Sequence, residues 1–137
     1  MYSLNRFLEA QENCYSIALQ ELQAGEKRSH WMWFIFPQLR GLGRSTMAHF
    51  YGIDGVEEAK AYLSHPILSA RLDEASRALL MHRGKNVVQI MGQTDAMKLR
   101  SSMTLFALLS PDNSVYHQVL ACFYQGCMDP LTQSMLS

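Results

Sequence analysis

Two stretches of the chain carry the side chains from which a site could be built. The first reads His30-Trp31-Met32-Trp33-Phe34-Ile35-Phe36-Pro37-Gln38-Leu39-Arg40-Gly41-Leu42-Gly43-Arg44-Ser45. Here a block of bulky rings is bracketed by an imidazole, an amide and two guanidinium groups. Glycines at 41 and 43 let the backbone approach a ligand closely and leave N–H groups free to meet an anion. Arg40 and Arg44 can close on a phosphate or carboxylate with paired hydrogen bonds, and Ser45 adds a hydroxyl. Trp31 or Trp33 offers a face for stacking on a base or ring. His30 is the candidate acid–base group, imidazole being the side chain that exchanges protons near neutrality. Against this stands burial: Trp31, Phe34 and Phe36 each remove a large area from water, and core is their commoner fate.

The second stretch is Asp95-Ala96-Met97-Lys98-Leu99-Arg100-Ser101-Ser102-Met103-Thr104-Leu105-Phe106. On a helix, Lys98 shares a face with Ser101 and Ser102, while Arg100 points away with Thr104 beside it. The remaining positions are strongly apolar, so the helix is expected to be buried over much of its circumference. Its hydroxyls must then find partners, and Ser101, Ser102 and Thr104 can bond back to the helix backbone. The sharper expectation places Lys98, Arg100 and Ser101 at the wall of a pocket lined by the first stretch, with Ser102 as a second catalytic candidate beside His30.

Familiar catalytic patterns do not occur. The chain has no His-Glu-x-x-His, no Cys-x-x-Cys, no phosphate loop and no Gly-x-Ser-x-Gly elbow. His30, His49, His65, His82 and His117 lack metal-ligand spacing, and Cys122 and Cys127 are five apart, off one helical face. No metal and no cofactor is expected. Cys14 lies on an apolar stripe and reads as an inert core thiol. Glu9, Glu12, Asp54 and Asp95 are scattered rather than paired.

These stretches must be positioned by helices. Leu4, Phe7, Leu8, Cys14, Tyr15, Ala18, Leu19 and Leu22 recur at helical spacing, with Ser3 as N-cap and Gly25 as stop. The aromatic block suits a turn of buried helix ending before Pro37. Gly41 and Gly43 mark a loop, and Ser45 starts a short helix. A helix over 56–63 follows the Asp54-Gly55 turn, and Pro66 opens another, capped by Ser64 or His65, that ends near Gly84. Asn86 to Met91 forms a short helix closed by Gly92. Thr94 caps one from Asp95 to about Leu109, and Val115 to Phe123 lines a further one. Asp129 and Pro130 begin the last turn, from Leu131 to Leu136. The fold class is therefore all-α: a single irregular multi-helix domain over 1–137, of about seven helices, with little or no strand.

Size and composition bound the rest. With 137 residues, 48% apolar and 18% charged, the chain can bury a core and is not disordered. Twelve basic and twelve acidic side chains give zero formal net charge, which disfavours nucleic acid as a partner. No apolar run is long enough to span a bilayer, and the first residues lack the apolar core of a secretion signal. Three cysteines form an odd set that suits a reducing, cytoplasmic setting.

Longer motifs carry a resemblance. Arg6-Phe7, Glu9-Ala10-Gln11, Tyr15, Ala18-Leu19, Glu21-Leu22 and Gly25 begin a pattern that continues through Lys27 to Gln38 and Gly41-Leu42-Gly43. It resumes at Ala61-Tyr62-Leu63, His65-Pro66, Leu68, Arg71-Leu72 and Lys98 to Phe106. Over nearly the whole chain this resembles the bacterial family known as domain of unknown function 1810, some members of which bear the label calpastatin. Ser69 and Met91 depart from its usual glycine and phenylalanine without touching either long motif. The resemblance implies a small cytosolic, largely helical, stand-alone domain of no established activity. The calpastatin label carries no weight, since a calpain inhibitor works as a disordered polar chain and this composition packs. The layout is also faintly similar to helical domains that process ADP-ribose-linked substrates, an analogy of fold that does not itself carry function. The expectation is a pocket protein or enzyme acting on a small anionic, nucleotide-like ligand related to ADP-ribose or NAD. The alternative is a protein-interaction module that docks through an exposed Trp31–Phe36 block.

Overall fold

The N-terminal apolar stripe folds as two helices rather than the expected one. In the computed structural model, which describes residues 3–136, α1 spans Asn5–Glu12 and α2 spans Tyr15–Ala24. The break at Asn13-Cys14 follows from what the two halves bury. Gln11, in the last turn of α1, is drawn inside: its amide donates to the Phe34 carbonyl at 2.8 Å and to the Tyr62 hydroxyl at 3.3 Å. Asn13, a weak helix former, is where the axis turns. α2 then packs against a different part of the fold and stops at Gly25, which is left-handed. The expected cap, Ser3, is not used; Leu4 occupies that position without a side-chain bond.

The aromatic block forms α3, Met32–Ile35, a single turn of helix. A loop leads to α4, Thr46–Tyr51, where the Ser45 hydroxyl accepts from the Ala48 N–H at 3.0 Å. This excursion is pinched shut at its base. The Arg40 N–H donates to Ile53 O at 2.8 Å and the Ile53 N–H donates to Gln38 O at 2.9 Å, an isolated parallel bridge between residues 39 and 53. Among the described residues there is no strand beyond it.

The rest is helical. α5 is Gly55–Ser64, and α6, Pro66–Leu80, starts with proline at its first position while His65 Nδ1 accepts from the Ile67 and Leu68 N–H groups at 3.2 Å. α7, Val87–Met91, is capped by the Asn86 side chain. α8 covers Gln93–Leu108, α9 Val115–Tyr124 and α10 Pro130–Leu136. The described residues thus form ten helices, not about seven, because the first stripe splits and the shortest turns are helices in their own right. α8 is the central element: it touches α5, α7, α9 and α10, and eight of its residues are buried. Half of its sixteen residues are buried, and the positions that face outward include Thr94, Lys98 and Ser101. None of the helices among the described residues is long and apolar enough to cross a membrane.

Candidate functional site

Two clamps hold the turn before the aromatic segment, one to α2 and one to α8. Glu21 is the first. One of its carboxylate oxygens accepts from the Arg28 N–H at 2.8 Å, the Ser29 N–H at 2.9 Å and the Trp31 indole at 2.9 Å, and the other accepts from the Ser29 hydroxyl at 2.6 Å. Lys27 is the second. It bonds the Ser29 carbonyl, lies 4.8 Å from the Trp31 ring centroid, and pairs with Asp95 in the first turn of α8 at 2.9 Å. Burial pushes the Glu21 carboxyl up, but the hydrogen bonds outweigh it and hold the group at about 2, below its ordinary 4.5. A depressed carboxyl pKa stabilises the fold fully above pH 4.5, and that contribution disappears as the pH falls toward 2. The stability difference between the wild type and Glu21→Gln, read from urea unfolding, should therefore be widest near neutrality and close through this acid range. A difference that stays constant from neutral pH to well below pH 4.5 would show that the clamp is not ionic.

With the segment so held, it faces α8 across a cleft made of two adjoining cavities. The wider cavity, of about 300 Å³, has Gln38, Leu42 and Gly43 on one side and Thr94, Met97, Lys98, Arg100 and Ser101 on the other. Asp129 and Leu131 close its end. The second is a slot of about 10 Å³ between Met32, Trp33, Phe36, Gln38, Ala48, Tyr51, Gly52 and Lys98. Gln38 and Lys98 belong to both. A third, shallow hollow is lined by Arg40, Gly41, Gly43, Arg44, Ser45, Thr46 and His49, and adjoins the cleft at Gly43.

The electrostatics of the cleft come down to one group. Arg100 donates from Nε to the Cys127 carbonyl at 2.9 Å and from a terminal nitrogen to the Met128 carbonyl at 2.8 Å. Asp129 accepts from Ser101 at 2.9 Å and from the Thr132 hydroxyl at 2.6 Å. Burial raises its carboxyl, yet these bonds and the Arg100 charge bring it below the usual carboxylate range. Arg100 and Asp129 offset one another and fix the chain before α10 onto α8. Lys98 has no carboxylate and no hydrogen-bond partner among the described residues; its ammonium sits 5.3 Å from the Trp33 ring centroid. A ring face attracts a cation without neutralising it.

The residues singled out from sequence fall into three groups. Trp33, Gln38, Gly43, Lys98, Arg100 and Ser101 meet at the cleft, although Arg100 and Ser101 are committed to backbone and Asp129. Arg40, Gly41, Arg44 and Ser45 sit on the neighbouring hollow. There Arg40 donates to the His49 carbonyl at 3.0 Å, Ser45 caps α4, and Arg44 is exposed. The remaining three do not join the site. Trp31 is 1% exposed and tied to Glu21, so it is core and cannot stack on a ligand. Ser102 is fully buried and lines neither cavity of the cleft, because α8 turns that face into the core. His30 is exposed on the bend before α3 and lines neither cavity. The glycines also serve a different purpose from the one expected. A Cβ at Gly43 would fall 2.6 Å from the Ala48 Cβ, so packing of the loop on α4 demands glycine, and Gly41 is held at φ +102°. Every apolar residue from Trp31 to Phe36 except Trp33 is buried.

Sequence reasoning missed Thr94, Met97, Asp129, Leu131 and Tyr51. Thr94 and Met97 could have been found, because positions 94, 97, 98 and 101 fall on one helical face. Asp129 gave no local signal, reaching Ser101 from 28 positions away. Among the described residues, no three His, Cys, Asp or Glu side chains are placed to hold a metal ion.

Comparison with known proteins bears on the whole chain. Residues 1–136 match a family model described as protein of unknown function (DUF1810). Among solved structures, the chain is similar to the conserved hypothetical protein Rv1873 from Mycobacterium tuberculosis, known from a 1.38 Å crystal structure. The two are 47% identical, the match covers 97% of this chain and 95% of that one, and the TM-score is 0.94. No curated protein matches.

Proposed function

The chain belongs to the DUF1810 family, and from that premise, which supplies no activity, we propose that the cleft between the 38–43 loop and α8 binds a small anionic ligand of nucleotide type. The observation that carries the reading is Lys98: a half-buried ammonium shared by two cavities, resting on an aromatic ring, with no counter-charge among the described residues. Partly desolvated cations are stabilised by a paired anion, and a ligand can supply it. The volume limits what fits. About 300 Å³ lies at the small end of ligand pockets, enough for one ring with its anionic group but not for a whole dinucleotide. A longer ligand would continue past Gly43 into the hollow beside Arg40 and Arg44. The apolar part of the ligand would meet Leu42, Met97 and Leu131, the last two well exposed at the rim. Flexible methionine suits such a contact. The reading is one of binding, and no reaction is assigned.

Thermal shift against ADP-ribose, NAD and nucleoside monophosphates tests it. A true ligand raises the melting temperature by mass action, with about 2.7 kcal/mol of added stability at a hundredfold excess over Kd. Lys98→Met should keep the fold, since only a cation–ring contact is lost, and should weaken binding by roughly tenfold or more, the value of a charge-assisted bond. Flat traces across the panel, or equal affinity for the wild type and Lys98→Met, would remove this reading.

A further inference from the structure

We infer that the narrow slot beside the cleft is an oxyanion subsite, taking one oxygen of the ligand's phosphate or carboxylate with the Trp33 indole N–H as a donor. The inference rests on the anion-binding reading above and states which atom of the ligand goes where. Its first support is an orphaned donor. The Trp33 indole nitrogen is buried and has no acceptor among the described residues, whereas the Trp31 indole, two positions earlier, is bonded to Glu21 at 2.9 Å. Buried N–H groups are rarely left unpaired, because the desolvation is then uncompensated.

The lining of the slot is the second support. Its polar side chains are Trp33, Gln38, Tyr51 and Lys98; each can donate a hydrogen bond and none is acidic. The side chains of Gln38, Tyr51 and Lys98 also lack a hydrogen-bond or ion-pair partner among the described residues. Four donor-bearing side chains lining one small space, walled by buried Met32 and Phe36, make a poor home for a cation or an apolar group. They suit an acceptor carrying negative charge. Size is the third support. About 10 Å³ holds a single water-sized atom, which is one oxygen of a phosphate or carboxylate and not the whole group. The remaining oxygens would lie on the Lys98 side, in the wider cavity that shares Gln38 and Lys98 with the slot.

The indole N–H resonances of the ¹⁵N-labelled chain test this directly, with Trp33→Phe identifying the Trp33 signal by its loss. Inorganic phosphate is titrated to high millimolar concentration at constant ionic strength, with chloride as the control. The expected result is a saturable downfield movement of the Trp33 indole proton with phosphate, none with chloride, and a stationary Trp31 signal. Trp33→Phe, which keeps the ring under Lys98, should bind phosphate roughly tenfold more weakly. A stationary Trp33 signal with unchanged affinity in Trp33→Phe, while binding still depends on Lys98, overturns the subsite and leaves the cleft reading in place. A spectrum with no Lys98-dependent response to phosphate overturns both.

Discussion

Replacing Glu58 by alanine is expected to destabilise the fold by about 3–5 kcal/mol, the range found when one partner of a buried ion pair is removed. The pair is well enclosed, with Arg6 15% and Glu58 4% exposed. Both terminal nitrogens of Arg6 donate to the carboxylate, at 2.7 and 3.0 Å, and the Asp54 N–H adds a third bond at 2.8 Å. Without Glu58 the guanidinium stays buried over the Phe7 ring with its charge uncompensated. The damage should reach the site, because Arg6 also donates to the carbonyl of Gly52, which lines the narrow slot. Urea unfolding at neutral pH gives the number. The double variant Arg6→Met/Glu58→Leu should lose less than the sum of the two single changes, since it buries no unpaired charge. A single-variant loss below about 1 kcal/mol would mean that the pair behaves as an exposed surface bridge.

That ion pair marks where sequence reading stops. Its partners are 52 positions apart, and neither position carries a local pattern that names the other. Local punctuation was legible because its physics is local. Helices begin where Ser45, Pro66 and Asn86 were expected to start them. His65, one of the two caps expected for the Pro66 helix, is the one used, and Ser45 and Asn86 serve as caps too, each side chain reaching two or three positions ahead. The split between α1 and α2 was not read from the stripe, although the stripe is interrupted between Leu8 and Cys14; there Gln11 is drawn inside by long-range bonds to Phe34 and Tyr62. The Gly92 cap of α8, in place of Thr94, is a shift of the kind that helix ends routinely show.

The candidate site divides in the same way. The aromatic stretch and the Lys98 stretch do line one space, but nothing local in either dictates it, since cations and amides flanking an apolar block are satisfied equally well by water. Which individual side chains would face that space depends on rotation about each helix, and the sequence constrains this weakly when apolar residues are spread around much of the helix. Hence Ser102, beside Ser101 in sequence, is sealed in the core while Ser101 reaches Asp129. Arg100, expected at the pocket wall with Lys98, does line the cavity, but its donors are spent on carbonyls. The charge that matters is the one left over after such pairing, and that sum is available only from coordinates.

Trp31 and Trp33 give the sharpest case of neighbours with opposite roles, and Trp31→Ala is the second change expected to have a large effect. The Trp31 ring is 1% exposed, lies tilted against Phe36 at 6.2 Å between centroids, and carries Lys27 on its face. Its removal leaves a cavity too large to collapse, for which tryptophan-to-alanine changes in cores cost about 3–5 kcal/mol. Glu21 would also lose one of its four donors, and Lys27 the ring beneath it, so the clamps on the 28–31 turn should loosen together. Trp31→Phe separates the two contributions: it keeps most of the packing and loses the bond to Glu21, so its cost should be nearer 1–3 kcal/mol. Trp33→Phe, by contrast, gives up a donor that has no acceptor among the described residues, and should leave the melting temperature nearly unchanged. The comparison is decided by thermal unfolding of the three variants side by side. Equal losses at 31 and 33 would place both rings in the core and take the ring beneath Lys98 out of the binding site; the expected order, with position 31 costly and position 33 almost free, reserves the second tryptophan for a ligand.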